Sequence, residues 1–300
     1  MPQPIGQNQI FRGSCTGNPP TQRGYDAAKS LFENKIKHSK GKKLQENMKE
    51  IFEDQRNRLS QLLNLPGGSE IILCPSGSDA EYLVVAIARD LQPDSEIVNG
   101  VTQLNEIGAG SAPASVGEYF ASYAPLLGKI SDQGCAAKLK GFEKVGGVTV
   151  LARSKNGDVV DSASQMKDFT NSALEKGQFP IIHGVFGGKT GIRDEFMPPS
   201  LEKGDKSLGV VDACQGRFTE DELHGWLEQD SIVLFTGSKF YQGKIIPWFF
   251  ILGRSFTNQK FPTFPIHFKI CSSYILCSSD NSTEAHRKTK EVKLSSSENA

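Results

Sequence analysis

The sequence predicts an α/β protein, a three-layer α/β/α domain with a mostly parallel central sheet. Short apolar stretches typical of buried strands alternate with longer segments in which apolar residues recur at helical spacing, as in parallel α/β domains. The chain has 300 residues, 37% of them hydrophobic, which is enough for one large domain or two modest ones. Its 34 basic and 34 acidic side chains balance, which argues against a dedicated nucleic-acid-binding protein.

Two segments precede the alternating part of the chain. Residues 1–41 are rich in Gly, Pro, Ser, Thr and Asn, and they predict an irregular arm with room for one short helix. Residues 42–65 predict an amphipathic helix, because apolar residues recur there at helical spacing among charges. The run Pro66-Gly67-Gly68 ends this helix.

The alternating part, residues 66–252, holds the predicted large domain. Strands are predicted over residues 70–74, 96–99, 147–151, 179–186, 207–212 and 231–235. Helices are predicted over residues 80–91, 162–176 and 220–229. Thr219 and Glu222 form a capping box before the last helix. Residues 253–300 show no sustained period and close in a polar run, so they predict an atypical tail with a disordered end.

The sequence predicts neither membrane insertion nor secretion. No stretch approaches the roughly eighteen consecutive apolar residues that a membrane helix needs. The N-terminus lacks the basic start and apolar run of a secretory signal. The six cysteines are scattered, with no Cys-x-x-Cys pair, which argues against a zinc site and a disulfide framework. We therefore expect a cytoplasmic protein without a metal site.

The first motif that suggests a binding site joins a predicted strand to a predicted helix. Gly77 would let the backbone approach a ligand closely, and Ser78 could cap the helix while its N–H and that of Asp79 point outward. The orphan N–H groups and the dipole of such a helix start can bind a phosphate. An ordinary strand-to-helix turn explains the same residues.

The second motif follows the strand over residues 207–212. Asp212 ends an apolar run, and burial of its carboxylate is costly unless a cation is its partner. A protonated pyridine nitrogen is one such cation, whereas a carboxylate that caps the next loop is the alternative. Gln215 lies three residues further on and could reach a neighbouring oxygen.

The third motif follows the strand over residues 231–235. Lys239 comes after an apolar strand, and the hydroxyl residues Thr236 and Ser238 precede it. Its amine could be the nucleophile of a Schiff base, or it could be a solvated lysine at a strand end. Asp212 and Lys239 follow successive strands that one helix joins, so we expect them to be spatial neighbours.

A phosphate site, an acid for a ring nitrogen and a lysine for an aldehyde are together what pyridoxal phosphate requires of a protein. In type, order and spacing, Asp212, Gln215 and Lys239 resemble the fold-type-I pyridoxal-phosphate-dependent enzymes, the aspartate aminotransferase superfamily. Within it they look most like the class-V branch, which holds cysteine desulfurases and phosphoserine aminotransferase. The resemblance covers roughly residues 68–243.

The resemblance implies a role for each matching residue. Lys239 would form the Schiff base and later carry the proton at the substrate Cα. Asp212 would keep the pyridine nitrogen protonated. The implied cofactor-binding residues are Gly77, Ser78, Asp79, His183, Asp212, Gln215, Thr236, Ser238 and Lys239. His183 is only a candidate, at a position where many members place an Asn or Ser near the phenolic oxygen.

Besides His183, the sequence departs from the family in two further places. Residues 101–110 hold no histidine or aromatic ring to stack on the cofactor, so Asn105 or Glu106 would have to lie over it. After Gly243 we recognise neither the reversing strand nor the small C-terminal domain of the family, which commonly supplies an arginine for the substrate carboxylate.

Two functional hypotheses follow. The first is a pyridoxal-phosphate enzyme that acts on an amino acid, as an aminotransferase or as a carbon–sulfur lyase of the desulfurase kind. The second is a truncated, non-catalytic homologue that keeps the large-domain fold and, in one version, the cofactor. The resemblance also implies a homodimer, whereas the charge balance and the lack of a long apolar run argue against a nucleic-acid or membrane partner. Residues 184–190 imitate a phosphate-binding P-loop, but their outer glycines enclose three residues where that loop needs four.

Overall fold

The computed structural model describes residues 19–124, 128–129, 137–194, 207–239, 241 and 248–253. In this part of the chain the central sheet contains seven strands. They are β1 (Glu70–Cys74), β2 (Ile97–Thr102), β5 (Val145–Val150), β6 (Phe179–Val185), β7 (Leu208–Asp212), β8 (Ile232–Thr236) and β9 (Trp248–Leu252). A separate pair consists of β3 (Tyr123–Ala124) and β4 (Gly128–Lys129).

The strand order across the sheet is β1-β9-β8-β7-β6-β2-β5. The pairs from β8 to β5 are parallel, whereas β9 runs antiparallel to both of its neighbours, β1 and β8. The mostly parallel sheet is therefore confirmed.

The reversing strand that the sequence analysis did not recognise is present as β9. Its residues belong to the apolar run from Ile245 to Leu252, which is long enough for a buried strand. Pro247 interrupts this run in the sequence, but β9 begins after it, at Trp248. The expectation that nothing resembling this strand follows Gly243 was wrong for this reason.

Helices cover the sheet and precede it. They are α1 (Gln22–Leu31), α2 (Gly41–Leu62), α3 (Gly77–Leu91), α4 (Ser111–Ala114), α5 (Ser162–Glu175) and α6 (Glu220–Glu228). The predicted capping box of Thr219 and Glu222 is formed at the start of α6.

The segment predicted as an irregular arm is more regular than expected. Helix α1 and a π-helical turn over Phe32–Ile36 occupy most of its described part. Thr21 caps α1 by accepting a hydrogen bond from the N–H of Gly24 at 3.1 Å. This local bond stabilises a helix start in a segment whose composition suggests a coil.

The helices form two layers around the sheet. The apolar side of α3 packs with the sheet residues Ile181, Val210 and Leu234 in one core cluster. On the opposite face, α6 and the partly buried side chains of α2 pack against strands that include β8. Helix α5 adds Met166 to a smaller cluster with strands β5 and β6. The three-layer α/β/α architecture is confirmed.

The described residues contain no helix whose length and apolar character would allow it to cross a membrane.

Candidate functional site

The side chains expected to carry chemistry meet where the parallel strands end. Asp212 is the last residue of β7, and β8 pairs with β7 in parallel, so Thr236 and Lys239 follow at the same edge of the sheet. Asp212 is 2% exposed and Lys239 is 6% exposed. The expected spatial proximity of the two strand ends is therefore present in the fold.

Cys214 connects the aspartate with the lysine. The backbone N–H of Cys214 donates to Asp212 Oδ1 at 2.9 Å, which orients the carboxylate. The Cys214 thiol lies within hydrogen-bonding reach of both Asp212 and Lys239. Burial raises the pKa of Cys214 to about 12, and Asp212 adds to this rise while Lys239 opposes it. The thiol is therefore a neutral neighbour of Asp212 and Lys239.

Three other predicted residues are buried at the same edge. Gln215 is 1% exposed, one residue beyond Cys214. Thr236 and Ser238 share a hydrogen bond of 2.9 Å between their hydroxyl oxygens, and the N–H of Ser238 donates to Thr236 Oγ1 at 3.2 Å. The two hydroxyl groups thus support each other in the turn that leads to Lys239.

The start of α3 differs in detail from the prediction. Ser76, and not Ser78, is the helix cap, because its hydroxyl accepts from the N–H of Asp79 at 3.2 Å. The Ser76 hydroxyl also donates to Asp79 Oδ2 at 2.6 Å. Burial raises the pKa of Asp79, although its hydrogen bonds with Ser76 oppose the shift. The Asp79 side chain is therefore held against the Ser76 hydroxyl at the helix start.

The Ser78 side chain faces the loop after β2. A Cβ atom added at Gly110 would lie 2.4 Å from Ser78 Oγ, so only glycine at position 110 leaves the hydroxyl in place. This close approach brings the loop after β2 and the start of α3 together at the edge where Asp212 and Lys239 lie.

Three ionisable side chains are clustered beneath the strand ends. Glu81 of α3, His183 of β6 and Asp212 are at most 2% exposed. One nitrogen or carboxylate oxygen from each lies within 4.8 Å of the others, and Glu81 Oε2 is 3.5 Å from His183 Nδ1. The strand register explains this, because His183 pairs with Val210 and therefore lies on the same face as Asp212, two positions along.

Burial governs the protonation of this cluster. It lowers the pKa of His183 to about 4, a shift that Asp212 partly opposes. It also raises the pKa of Glu81 well above its usual range, and Asp212 raises it further. Both side chains are thus driven toward their neutral forms.

Sequence reasoning did not select Glu81, although a signal was present. Glu81 is the single charged residue in the segment from Ala80 to Ala88, whose other members are apolar and buried. A charged side chain on a wholly buried stretch of helix requires a polar partner in the interior. His183 was expected near a phenolic oxygen, and the structure places it against Glu81 and Asp212.

Glu106, which the sequence analysis considered as a group to lie over the cofactor, is hydrogen-bonded to Thr190. Its carboxylate accepts hydrogen bonds from the Thr190 N–H at 2.7 Å and from the Thr190 hydroxyl at 2.8 Å. Because these bonds join the loops after β2 and β6, Glu106 is held to the protein and does not offer a free carboxylate for stacking on a ligand. The same bonds use the amide of Thr190 within the segment that imitates a P-loop.

No protein-family model and no curated protein matches the chain. Among solved structures, it is similar to the glutamate decarboxylase domain of a diaminobutyrate-pyruvate transaminase and L-2,4-diaminobutyrate decarboxylase from Vibrio parahaemolyticus. The alignment has a TM-score of 0.53 and 13% identity, and it covers 88% of this chain and 54% of that one. The chain shares its fold with a decarboxylase domain.

Two further matches are weaker. Rhodiola rosea 4-hydroxyphenylacetaldehyde synthase has a TM-score of 0.49 and 15% identity, over 79% of this chain and 50% of that one. Oryza sativa TDC, determined with PLP, has a TM-score of 0.43 and 12% identity, over 66% and 42%. The chain thus spans about half the length of the structures that it matches. The class-V branch predicted from the sequence is not confirmed, because the Vibrio parahaemolyticus match is a glutamate decarboxylase domain.

Proposed function

We propose that the chain binds pyridoxal phosphate through Lys239 and acts on an amino acid, with decarboxylation as the first reaction to test. The observation that carries the proposal is the burial of Asp212 and Lys239 at the ends of adjacent parallel strands, beside the start of α3. A buried acid, a buried amine and a helix N-terminus on one edge fit the ring nitrogen, the aldehyde and the phosphate of this cofactor.

Each residue has a defined task in this proposal. Lys239 supplies the amine that attaches the cofactor and then moves a proton to or from the substrate Cα. Asp212, oriented by the N–H of Cys214, holds a proton on the ring nitrogen. The remaining cofactor-binding residues are proposed to be Gly77, Ser78, Asp79, Gln215, Thr236 and Ser238. When bound, the cofactor supplies an electron sink for bond cleavage at Cα.

Decarboxylation is preferred over transamination or carbon–sulfur cleavage because of the fold shared with the Vibrio parahaemolyticus domain. That likeness concerns the fold, so the reaction is a matter for assay. The described residues exclude water from Asp212 and Lys239 almost completely, which strengthens electrostatic interactions between these groups and a bound ligand.

The attachment to Lys239 is tested by borohydride reduction after reconstitution with pyridoxal phosphate, followed by peptide mapping. We expect a stoichiometric label on Lys239 and none in Lys239→Arg. Lys176→Arg is the matched control, because Lys176 is an exposed lysine at the end of α5. Equal labelling of many surface lysines, with no preference for Lys239, would refute the cofactor proposal.

The reaction is tested by release of carbon dioxide from a panel of amino acids that includes glutamate and 2,4-diaminobutyrate. Formation of an amine with release of carbon dioxide would establish a decarboxylase. Amino-group transfer to an added 2-oxo acid, or release of sulfide, would instead establish one of the other two activities.

The non-catalytic homologue is the second candidate, and one observation favours it. Residues 101–110 contain no ring to stack on the cofactor, and the Glu106 carboxylate is bound to Thr190. This candidate predicts a specific label on Lys239 without turnover of any amino acid in the panel. A catalysed reaction that is lost in Lys239→Arg would exclude it.

The assembly and the location of the protein also stay proposals. We propose a homodimer on the strength of the family resemblance, which light scattering on the purified chain can test. A cytoplasmic location is likewise a prediction, and a fluorescent fusion in intact cells can test it.

A further inference from the structure

The cluster of Glu81, His183 and Asp212 contains more polar atoms than the cofactor proposal uses. Both nitrogens of His183 and Oε2 of Glu81 are buried and have no hydrogen-bond partner among the residues that the structure describes. Buried polar atoms in this state are costly, and they are uncommon in folded proteins. Their concentration next to Asp212, at the same strand ends, indicates a role connected with that carboxylate.

The contact between Glu81 and His183 indicates which group donates the hydrogen bond and which accepts it. Glu81 Oε2 lies 3.5 Å from His183 Nδ1, so a small shift would make this contact a hydrogen bond. With Glu81 neutral and His183 neutral, the carboxyl O–H is the donor and Nδ1 is the acceptor. The proton of the imidazole must then be on Nε2.

Within the described cluster, Asp212 is the group that can accept a hydrogen bond from His183 Nε2. One carboxylate oxygen of Asp212 lies within 4.8 Å of a nitrogen of His183 and of a carboxylate oxygen of Glu81, and Asp212 is on the same face of the sheet as His183. Two ionised carboxylates beside a neutral imidazole would be costly in this dry interior, whereas a single negative charge on Asp212 is compatible with a cationic ring nitrogen. Among the described residues, the Cys214 thiol also interacts with Asp212 and with Lys239, and Cys74 interacts with Asp79 at the start of α3.

We propose that Glu81 and His183 are positioning residues for Asp212. Neutral Glu81 donates to His183 Nδ1 and so fixes the tautomer whose Nε2–H donates to Asp212. Asp212 is thereby oriented, as the anion of the cluster, toward the nitrogen of a bound pyridine ring. The inference rests on the proposed function for the identity of the ring, but the tautomer that it requires is a property of the cofactor-free protein.

The first experiment measures the ¹⁵N chemical shifts of the His183 imidazole in the cofactor-free full chain, assigned with His183→Asn. We expect the Nε2–H tautomer between pH 6 and pH 8. Glu81→Gln should keep it, because an amide N–H can donate to Nδ1, whereas Glu81→Leu should give a mixture of tautomers. An Nδ1–H tautomer in the parent, or no change in Glu81→Leu, would overturn the proposal whether or not the cofactor binds.

The second experiment measures the dissociation constant of pyridoxal phosphate and the ¹⁵N shift of its labelled ring nitrogen. Glu81→Leu should weaken binding about tenfold and reduce protonation of the ring nitrogen, whereas Glu81→Gln should stay within about threefold of the parent. Asp194→Asn is the matched control. Asp194 is a partly buried carboxyl that accepts from the N–H of Val185 in the same strand as His183. The Asp194→Asn substitution should leave the ¹⁵N shift of the ring nitrogen unchanged.

Two results separate the possible failures. If borohydride labels Lys239 in the parent but Glu81→Leu binds and protonates the ring as the parent does, the positioning role is wrong and the proposed function stands. The same three residues could in principle hold a divalent cation, so the purified chain is also analysed for metals. A stoichiometric metal ion that is lost in both Glu81→Gln and His183→Asn would overturn the proposal in favour of a metal site.

Discussion

A fully buried imidazole is costly to protonate, and His183 is such a group. Its pKa falls from 6.5 in the unfolded chain to about 4 in the folded protein. The unfolded chain therefore binds more protons between these values, and the folded state loses stability as the pH falls through this window. This loss amounts to about 3 kcal/mol for His183 and is absent above pH 6.5.

Urea unfolding at pH 7 and pH 4 checks this prediction. His183→Asn should lower the acid-induced loss of unfolding free energy by about 3 kcal/mol relative to the parent. Glu81 acts with the opposite sign, because a raised carboxyl pKa adds stability at low pH that is lost as the pH rises above 4.5. Glu81→Gln should therefore steepen the acid loss. Parallel pH profiles of parent and His183→Asn would contradict the prediction.

The Cys214 thiol should be nearly inert in the folded protein. The reactive species is the thiolate, and a rise in pKa from 9.0 to about 12 reduces its fraction roughly a thousandfold at pH 8. Burial of the side chain slows modification further. We expect iodoacetamide to modify the Cys214 peptide in urea but not in native buffer, as measured by mass spectrometry. Rapid native modification of this peptide would contradict the structure at the site.

At the scale of elements, β9 is the strand that attaches β1 to the rest of the sheet. Ile251 pairs with Ile71 on one side and with Val233 on the other, and its side chain is fully buried. Without β9, strand β1 would lose its hydrogen-bonded neighbour in the described sheet, and the helix start that follows β1 would lose its position beside Asp212.

Ile251→Ala should therefore lower the free energy of unfolding by about 2 to 5 kcal/mol, since it removes buried methyl groups and leaves a cavity. Val148→Ala is the control, because Val148 lies on the edge strand β5 and is 47% exposed. Its effect should stay within about 0.5 kcal/mol. Urea unfolding of the three proteins provides the measurement. An equal, small effect at both positions would show that β9 does not hold the sheet together.

A ligand that binds only the folded state stabilises the whole protein. Pyridoxal phosphate at a hundred times its dissociation constant should add about 2.7 kcal/mol to the free energy of unfolding. The midpoint temperature of thermal unfolding should therefore rise with cofactor concentration in the parent, and it should rise much less in Lys239→Arg. The control is pyridoxine, which has the ring but neither the aldehyde nor the phosphate. An equal shift with pyridoxine would argue against attachment through Lys239.

Part of the site was predictable because it depends on order along the chain. Asp212 and Lys239 each follow an apolar strand, and parallel strands joined by one helix place their ends side by side. The helix cap was predicted two residues too late, at Ser78, because the choice between Ser76 and Ser78 depends on backbone angles that composition does not show. Strand β9 was missed because a short apolar run that contains a proline does not show which strands of the sheet it pairs with.

Local periodicity and chain order were sufficient to predict the α/β class, most of the strands and the placement of an acid and a lysine at strand ends. The tertiary structure alone decided that Glu81 meets His183 and Asp212, that Glu106 is bound to Thr190, and that β9 lies between β1 and β8. These contacts join residues far apart in the chain. They form only when helix packing and strand register have fixed which buried faces oppose each other.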